Sequence, residues 1–309
     1  MTDVFATERD GITDAAWLEL VARASADGSR FFTENQLYLE YARGRVQVTR
    51  YIARRGKLGL LAILFGLGIW VYALHADWGI TLVCGIAVTL SGVGMVGTGV
   101  VTRRDPAPRE LVHGWLAKWL AHAPLPQLLR EPSLADRGAE FVPTDARHVI
   151  IVEREELVDL LLTNRAHELL SAVIVAESGY PRALRDEAAR LLGADGTRSV
   201  IALHDATQNG VGLASRLAAS SVFALKSRPI QDIGLFPADV QQLAELVSAI
   251  PPAYTTQVPL DSLTLPTLLT GLRGVTSGAL SLAVALSLAE EAPELPPETA
   301  PIASNAAAT

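Results

Sequence analysis

HVIIVEREELVDLLLTNRAHELLSAVIVAESGYPRALRDEAARLLGADGTRSVIALHDATQNG, residues 148–210, contains three short apolar runs. They are HVIIV at 148–152, AVIVA at 172–176 and SVIAL at 199–203, each followed by a stretch with helical spacing. Continuous β-branched runs of this length suit strands buried on both faces, and their alternation with helices predicts βαβ units and a parallel sheet. SVFAL at 221–225 reads as a fourth strand, and the α/β domain spans 148–250.

Outward from this core the chain of 309 residues is half apolar, with 19% charged residues and a mean hydropathy of +0.28. The single cysteine, Cys84, excludes a disulfide framework and a cysteine-cluster zinc site, and the net charge of -7 gives no general affinity for nucleic acid. The apolar excess gathers in Leu58–Leu74 and Gly79–Thr102, separated by His75, Ala76, Asp77 and Trp78. Runs of this length predict two membrane-crossing helices over 58–102. Arginines before and after them, at 43–55 and 103–109, place both termini on the cytoplasmic side of an inner membrane. GVGMVG at 92–97 matches a dinucleotide-binding pattern, but it follows no strand. Its glycines instead predict close helix packing in lipid, and with it a homo-oligomer. The basic run over 43–57 is expected to lie against anionic lipid.

The fold class expected is therefore α/β, a two-span transmembrane hairpin plus a cytosolic Rossmann-like parallel-sheet domain. Residues 1–57 form a helical N-terminal region, with helices over 15–24 and 35–55. Residues 103–147 hold a helix and a proline-rich linker, and Trp115 and Trp119, four apart, share one helix face. LTLPTLLTGLRGVTSGALSLAVALSL at 263–288, within an apolar segment 251–289, is interrupted by Pro266, Arg273, Gly274 and Gly278. It predicts two helices packed on the sheet or on a membrane surface. Residues 290–309 are rich in Ala, Pro and Glu and predict a disordered tail.

Ligands of open α/β sheets bind beyond the carboxyl ends of the strands. Glu153, Glu177 and Asp205 all fall there. Crowded carboxylates suit a hard cation such as Mg²⁺, although acids at strand ends also cap helices or face solvent. Arg154, Arg182, Arg185, Arg216, Lys226 and Arg228 could face a polyanion, but most have acids nearby and suit a solvated helix face.

The order VERE at 152–155, SGYP at 178–181, HDATQNG at 204–210 and IGLFPADVQQL at 233–243 resembles a Toprim domain, as in the A subunit of topoisomerase VI and its meiotic relatives. The resemblance covers about 95 residues. It implies a Rossmann-like sheet, with Glu153 in the place of the family's acid/base glutamate and Asp205 in that of its first metal-binding aspartate. Glu177, Ser178 and Gly179 lie at the Gly-Tyr-Pro turn, and Asn209 and Gly210 fall where the family has Tyr-Gly. Thr207 replaces the second aspartate and is a weaker metal ligand. No winged-helix segment carries a nucleophilic tyrosine, so strand cleavage through phosphotyrosine is not expected. The expectation is a membrane-anchored, non-catalytic Toprim-like domain binding a nucleic acid, a nucleotide or a protein. One alternative is an Mg²⁺-dependent phosphodiesterase using Glu153 and Asp205, and another is a structural membrane-assembly protein.

Overall fold

The computed structural model describes residues 4–5, 11–44, 109–194, 198–223, 225, 228–240, 243, 257–279 and 281–290, with short helical pieces at 58, 60–65, 67, 69 and 88–90. The three apolar runs form β3 (His148–Val152), β4 (Ala172–Ala176) and β5 (Ser199–Leu203). All are parallel, and His148 pairs with both Ala172 and Ser199. Val149–Val152 are fully buried, as expected of a strand covered on both faces. The sheet order is β4-β3-β5-β6, with β6 at Ile230–Asp232.

The fourth strand is not 221–225. It is Ile230–Asp232 (β6), paired with β5 from Val200↔Ile230 to Ala202↔Asp232. An edge strand has one free side and needs no apolar run, so its three half-buried residues carry no strong pattern. Phe223 and Leu225 instead insert into the core from an irregular segment.

Helices α4 (Glu155–Thr163), α5 (Ala166–Leu169), α6 (Arg182–Ala194), α7 (Gln208–Val211) and α8 (Leu213–Ala219) connect the strands. Helix α6 buries Leu184, Ala188, Leu191 and Leu192, a stripe at i, i+4, i+7 and i+8. A short helix α9 (Pro237–Val240) follows β6. The apolar C-terminal segment forms α10 (Leu265–Thr276) and α11 (Leu282–Glu290). Thr264 caps α10 by accepting from Thr267 N, and Pro266 sits in its first turn, where a missing N–H is harmless. Leu268, Leu272 and Leu282 join the core of the sheet, so this segment packs on the α/β body.

A second core joins α1 (Asp14–Ala24), the 34–44 helix (α2) and α3 (Arg109–Leu120). Trp17 and Trp119 are buried there with ring centroids 6.2 Å apart, and Tyr41 meets Trp115 edge-on at 5.1 Å. The two tryptophans predicted to share a face are thus core anchors. The proline-rich stretch is more than a linker. Leu128–Leu129 (β2) pairs with Phe32–Thr33 (β1), and Leu134 is buried against the sheet body.

The transmembrane reading is corrected. Among the described residues no helix is long and apolar enough to cross a membrane. Helix α6, at 13 residues, rises only about 20 Å, against a hydrocarbon core of about 30 Å. The two-span hairpin, the membrane location and the cytoplasmic placement of both termini therefore lose their support. Most of 58–102, including the glycine run 92–97 and its expected packing role, lies outside the described residues, as do 45–57 and 291–309. In the short described piece Leu60, Leu61, Leu64 and Phe65 are exposed. What stands is a mixed α/β chain with parallel sheets, compatible with a Rossmann-like body.

Candidate functional site

The chain runs from β3 outward to β4, then crosses back to place β5 on the other side of β3. That reversal opens a crevice beyond the carboxyl ends of β3 and β5, the usual ligand position in such sheets. Glu153 and Asp205 meet there. The ladder continues past β3, because Glu153 N donates to Leu203 O at 3.1 Å. One Glu153 oxygen, Oε2, accepts from Asp205 N at 3.2 Å, and the other, Oε1, from Asn209 Nδ2 at 2.8 Å. Gly210 sits below them, and a Cβ there would collide with Asp205 O and lie 2.8 Å from Glu153 Oε2. Only glycine lets the backbone come this close.

The chain's own segments roof the crevice. Ala206 and Val258 form an antiparallel bridge, which lays residues 258–262 across the strand ends. Asp205 is buried and accepts from Leu260 N at 2.6 Å and from Arg154 Nε at 2.7 Å. The same guanidinium donates from Nη2 to Asp261 Oδ1 at 2.8 Å. Asp261, also buried, accepts from Thr33 Oγ1 at 2.7 Å and from Asn35 Nδ2 at 3.2 Å. Arg43 Nη2 donates to Ser262 O at 2.9 Å. One ion-pair network thus ties the N-terminal segment, the end of β3, the end of β5 and the 260–262 turn together.

Burial pushes the Asp205 carboxyl above its ordinary range, and Arg154 with the Leu260 N–H only partly oppose it. Burial alone would lower the Arg154 guanidinium, but Asp261 and Asp205 outweigh it, so its charge is held more firmly than in water. His204, fully buried between β5 and β6, has Nδ1 2.8 Å from Asp205 O and Nε2 2.8 Å from Asp232 Oδ1. The Asp232 contact is a close ionic approach lacking hydrogen-bond alignment. Burial disfavours the imidazolium, yet Asp232 and the Asp205 carbonyl win and raise its pKa.

The remaining expected residues are divided among structural tasks. Thr207 caps α7, its Oγ1 accepting from Gly210 N at 2.8 Å. Glu177 is held bidentately by Arg216, at 2.7 and 2.8 Å, and Arg216 Nη1 also donates to Asn209 O at 2.5 Å. Ser178 turns away and donates to Glu155 Oε1 at 2.5 Å. Gly179 has φ 86°, the left-handed region, and a Cβ there would meet Arg185 Cδ at 2.8 Å. Glu153, Asp205, Asn209 and Gly210 therefore converge. Thr207 serves its own helix turn, and Glu177, Ser178 and Gly179 line the neighbouring β4 end. Of the basic residues, Arg154 and Arg216 are bound to acids within the fold, Arg185 pairs with Asp186, and Lys226 lies outside the described residues.

The donor set does not fit Mg²⁺. Both Asp205 oxygens and both Glu153 oxygens already accept hydrogen bonds, and a guanidinium stands 2.7 Å from Asp205 Oδ2. A second cation there would meet repulsion from that guanidinium. Among the described residues no group of three or more His, Cys, Asp or Glu side chains could hold a metal ion.

Sequence reasoning missed Asp261, Thr33 and Asn35 as partners of this site, and the His204–Asp232 pair. Arg154 had a usable signal, since it directly follows Glu153 at a strand end.

The described residues define an open parallel α/β body whose strand-end crevice is closed by an internal arginine–carboxylate network. No family model, no curated protein and no solved structure matches the chain.

Proposed function

We propose that the α/β body is a non-catalytic, Toprim-like binding module that takes a protein partner. The observation that carries this is Arg154, whose guanidinium supplies the positive charge between Asp205 and Asp261. With that charge built into the fold, Asp205 and Asp261 are committed to joining segments, and Glu153 is left without Asp205 as a free second carboxylate to share a metal.

The accessible rim favours protein over a phosphate polymer. Glu153, Glu155 and Glu177 remain partly exposed around the strand ends, and the chain carries -7 overall, so a polyanion would be repelled. Beside them Gln208 and Asn209 are exposed, and Val211 and Val222 keep 39% and 44% of their surface. Mixed polar and apolar groups of this kind suit a modest protein interface.

The test is Mg²⁺ and Mn²⁺ titration of the full chain, followed by thermal unfolding and by hydrolysis of a simple aryl phosphodiester. The expected result is a melting shift below about 1 °C at millimolar metal, with no hydrolysis. A larger metal-dependent rise that disappears in Glu153→Gln would overturn the reading and reinstate the phosphodiesterase.

A further inference from the structure

Away from the strand ends, the end of α1, the turn after it, α2 and the start of α10 enclose a cavity of about 150 Å³. Arg23, Arg30 and Arg43 line it, together with Gln36, Glu40 and Thr264. Three arginines against Glu40 in the lining and Glu19 beside it leave one net positive charge around a small space. Glu40 is already matched by Arg43 Nη1 at 2.7 Å. Among the described residues the Arg30 guanidinium has no carboxylate within ion-pair distance. Arg23 pairs with Glu19 at 2.6 Å, an exposed contact that water weakens.

The exposed Arg30 and the inner-wall Arg43 thus give this cleft a positive potential that is open to a solvent anion. We infer that this cavity is a binding site for one phosphate-class dianion, either the free ion or the head of a small phosphomonoester. Guanidinium forks match tetrahedral oxyanions with paired donors; among the described residues Arg30 has that capacity without an ion-pair partner, while Arg23 already gives Nη1 to Glu19. The volume lies below the roughly 300–1,000 Å³ of sites for drug-sized ligands, which suits a single ionic group. Arg43 forms the inner wall while anchored to Ser262 O, so the site is built on the segment that also roofs the strand ends. The inference is independent of the partner proposed above, because it uses neither Glu153 nor Asp205.

The experiment is calorimetric titration of the full chain with inorganic phosphate and with glycerol phosphate, at constant ionic strength set by chloride. The expected result is saturable binding of at least one of them, weakened at least tenfold by Arg30→Ala and less by Arg23→Ala. Both residues are exposed, and Arg30 holds no ion pair whose loss would unfold the chain. Arg190→Ala, which removes an equal charge from the surface of α6, is expected to leave binding unchanged. Whichever of the two ligands binds more tightly identifies the source of the dianion. Absence of saturable binding to both, an Arg30→Ala protein that binds like the parent, or an equal loss in Arg190→Ala overturns the inference.

Discussion

Replacing Arg154 by Met keeps most of its length and removes the charge that two buried carboxylates share. Asp205 and Asp261 keep only 4% and 3% of their surface, so neither can recover its hydration without opening the 258–262 turn. Removing one partner of a buried ion pair costs about 3–5 kcal/mol. The Arg154 side chain is 32% exposed, which lets water offset part of this, and about 2–4 kcal/mol is expected. At roughly 2–4 °C per kcal/mol for a chain of this size, the melting temperature should fall by roughly 4–16 °C at pH 7.5. The deficit has a sign in pH. Asp205 is raised above its ordinary 3.8 even with Arg154 present, and losing the guanidinium raises it further. A carboxyl raised in the folded state contributes stability that is complete below its unfolded pKa and lost as pH rises through the folded one. The Arg154→Met defect should therefore shrink toward pH 4 and be full by pH 7.5. Asp205→Asn in the Arg154→Met background should recover part of it. Thermal and urea unfolding across pH 4–8 measure both effects. A loss under about 1 kcal/mol, or one equal at both ends of the range, refutes the reasoning.

Gly210→Ala should cost about 2–3 kcal/mol in urea unfolding, because the new methyl meets Asp205 O and Glu153 Oε2 at the bottom of the crevice. The raised pKa of His204 means its contribution is complete below 6.5 and lost as pH rises through the folded value. Asp232→Asn should therefore flatten the decline in stability above pH 6.5, and an NMR titration of His204 should show its pKa fall. Tyr180→Phe removes a hydroxyl that donates to buried Asp159 at 2.7 Å and accepts from Leu134 N at 2.5 Å. Two polar groups lose a partner, and the expected cost is about 1–3 kcal/mol by chemical denaturation.

The sheet was legible because burial on both faces imposes a local pattern. HVIIV, AVIVA and SVIAL announce β3, β4 and β5 in their own residues, Pro266 marks the start of α10, and Gly278 falls where the apolar C-terminal run divides into α10 and α11. The location of the strand-end acids followed from the alternation of elements, but their partners did not: Glu153 and Asp205 meet, while Glu177 is held by Arg216. Edge strand β6 escaped notice since half-buried Ile230, Gln231 and Asp232 repeat nothing. The membrane hairpin was inferred from run length and flanking charge alone, and among the described residues no helix is long and apolar enough to cross a membrane.

By itself, then, the sequence determined the parallel α/β order, the helices between the strands and the presence of Glu153 and Asp205 at their ends. Only the tertiary structure decided what those acids do. Arg154 meets Asp261 across 107 residues of sequence, and Thr33 meets it across 228. A charge pair of that separation leaves no periodic trace. It exists only because the fold brings four distant segments to one buried point, where an unpaired charge would be too costly to leave.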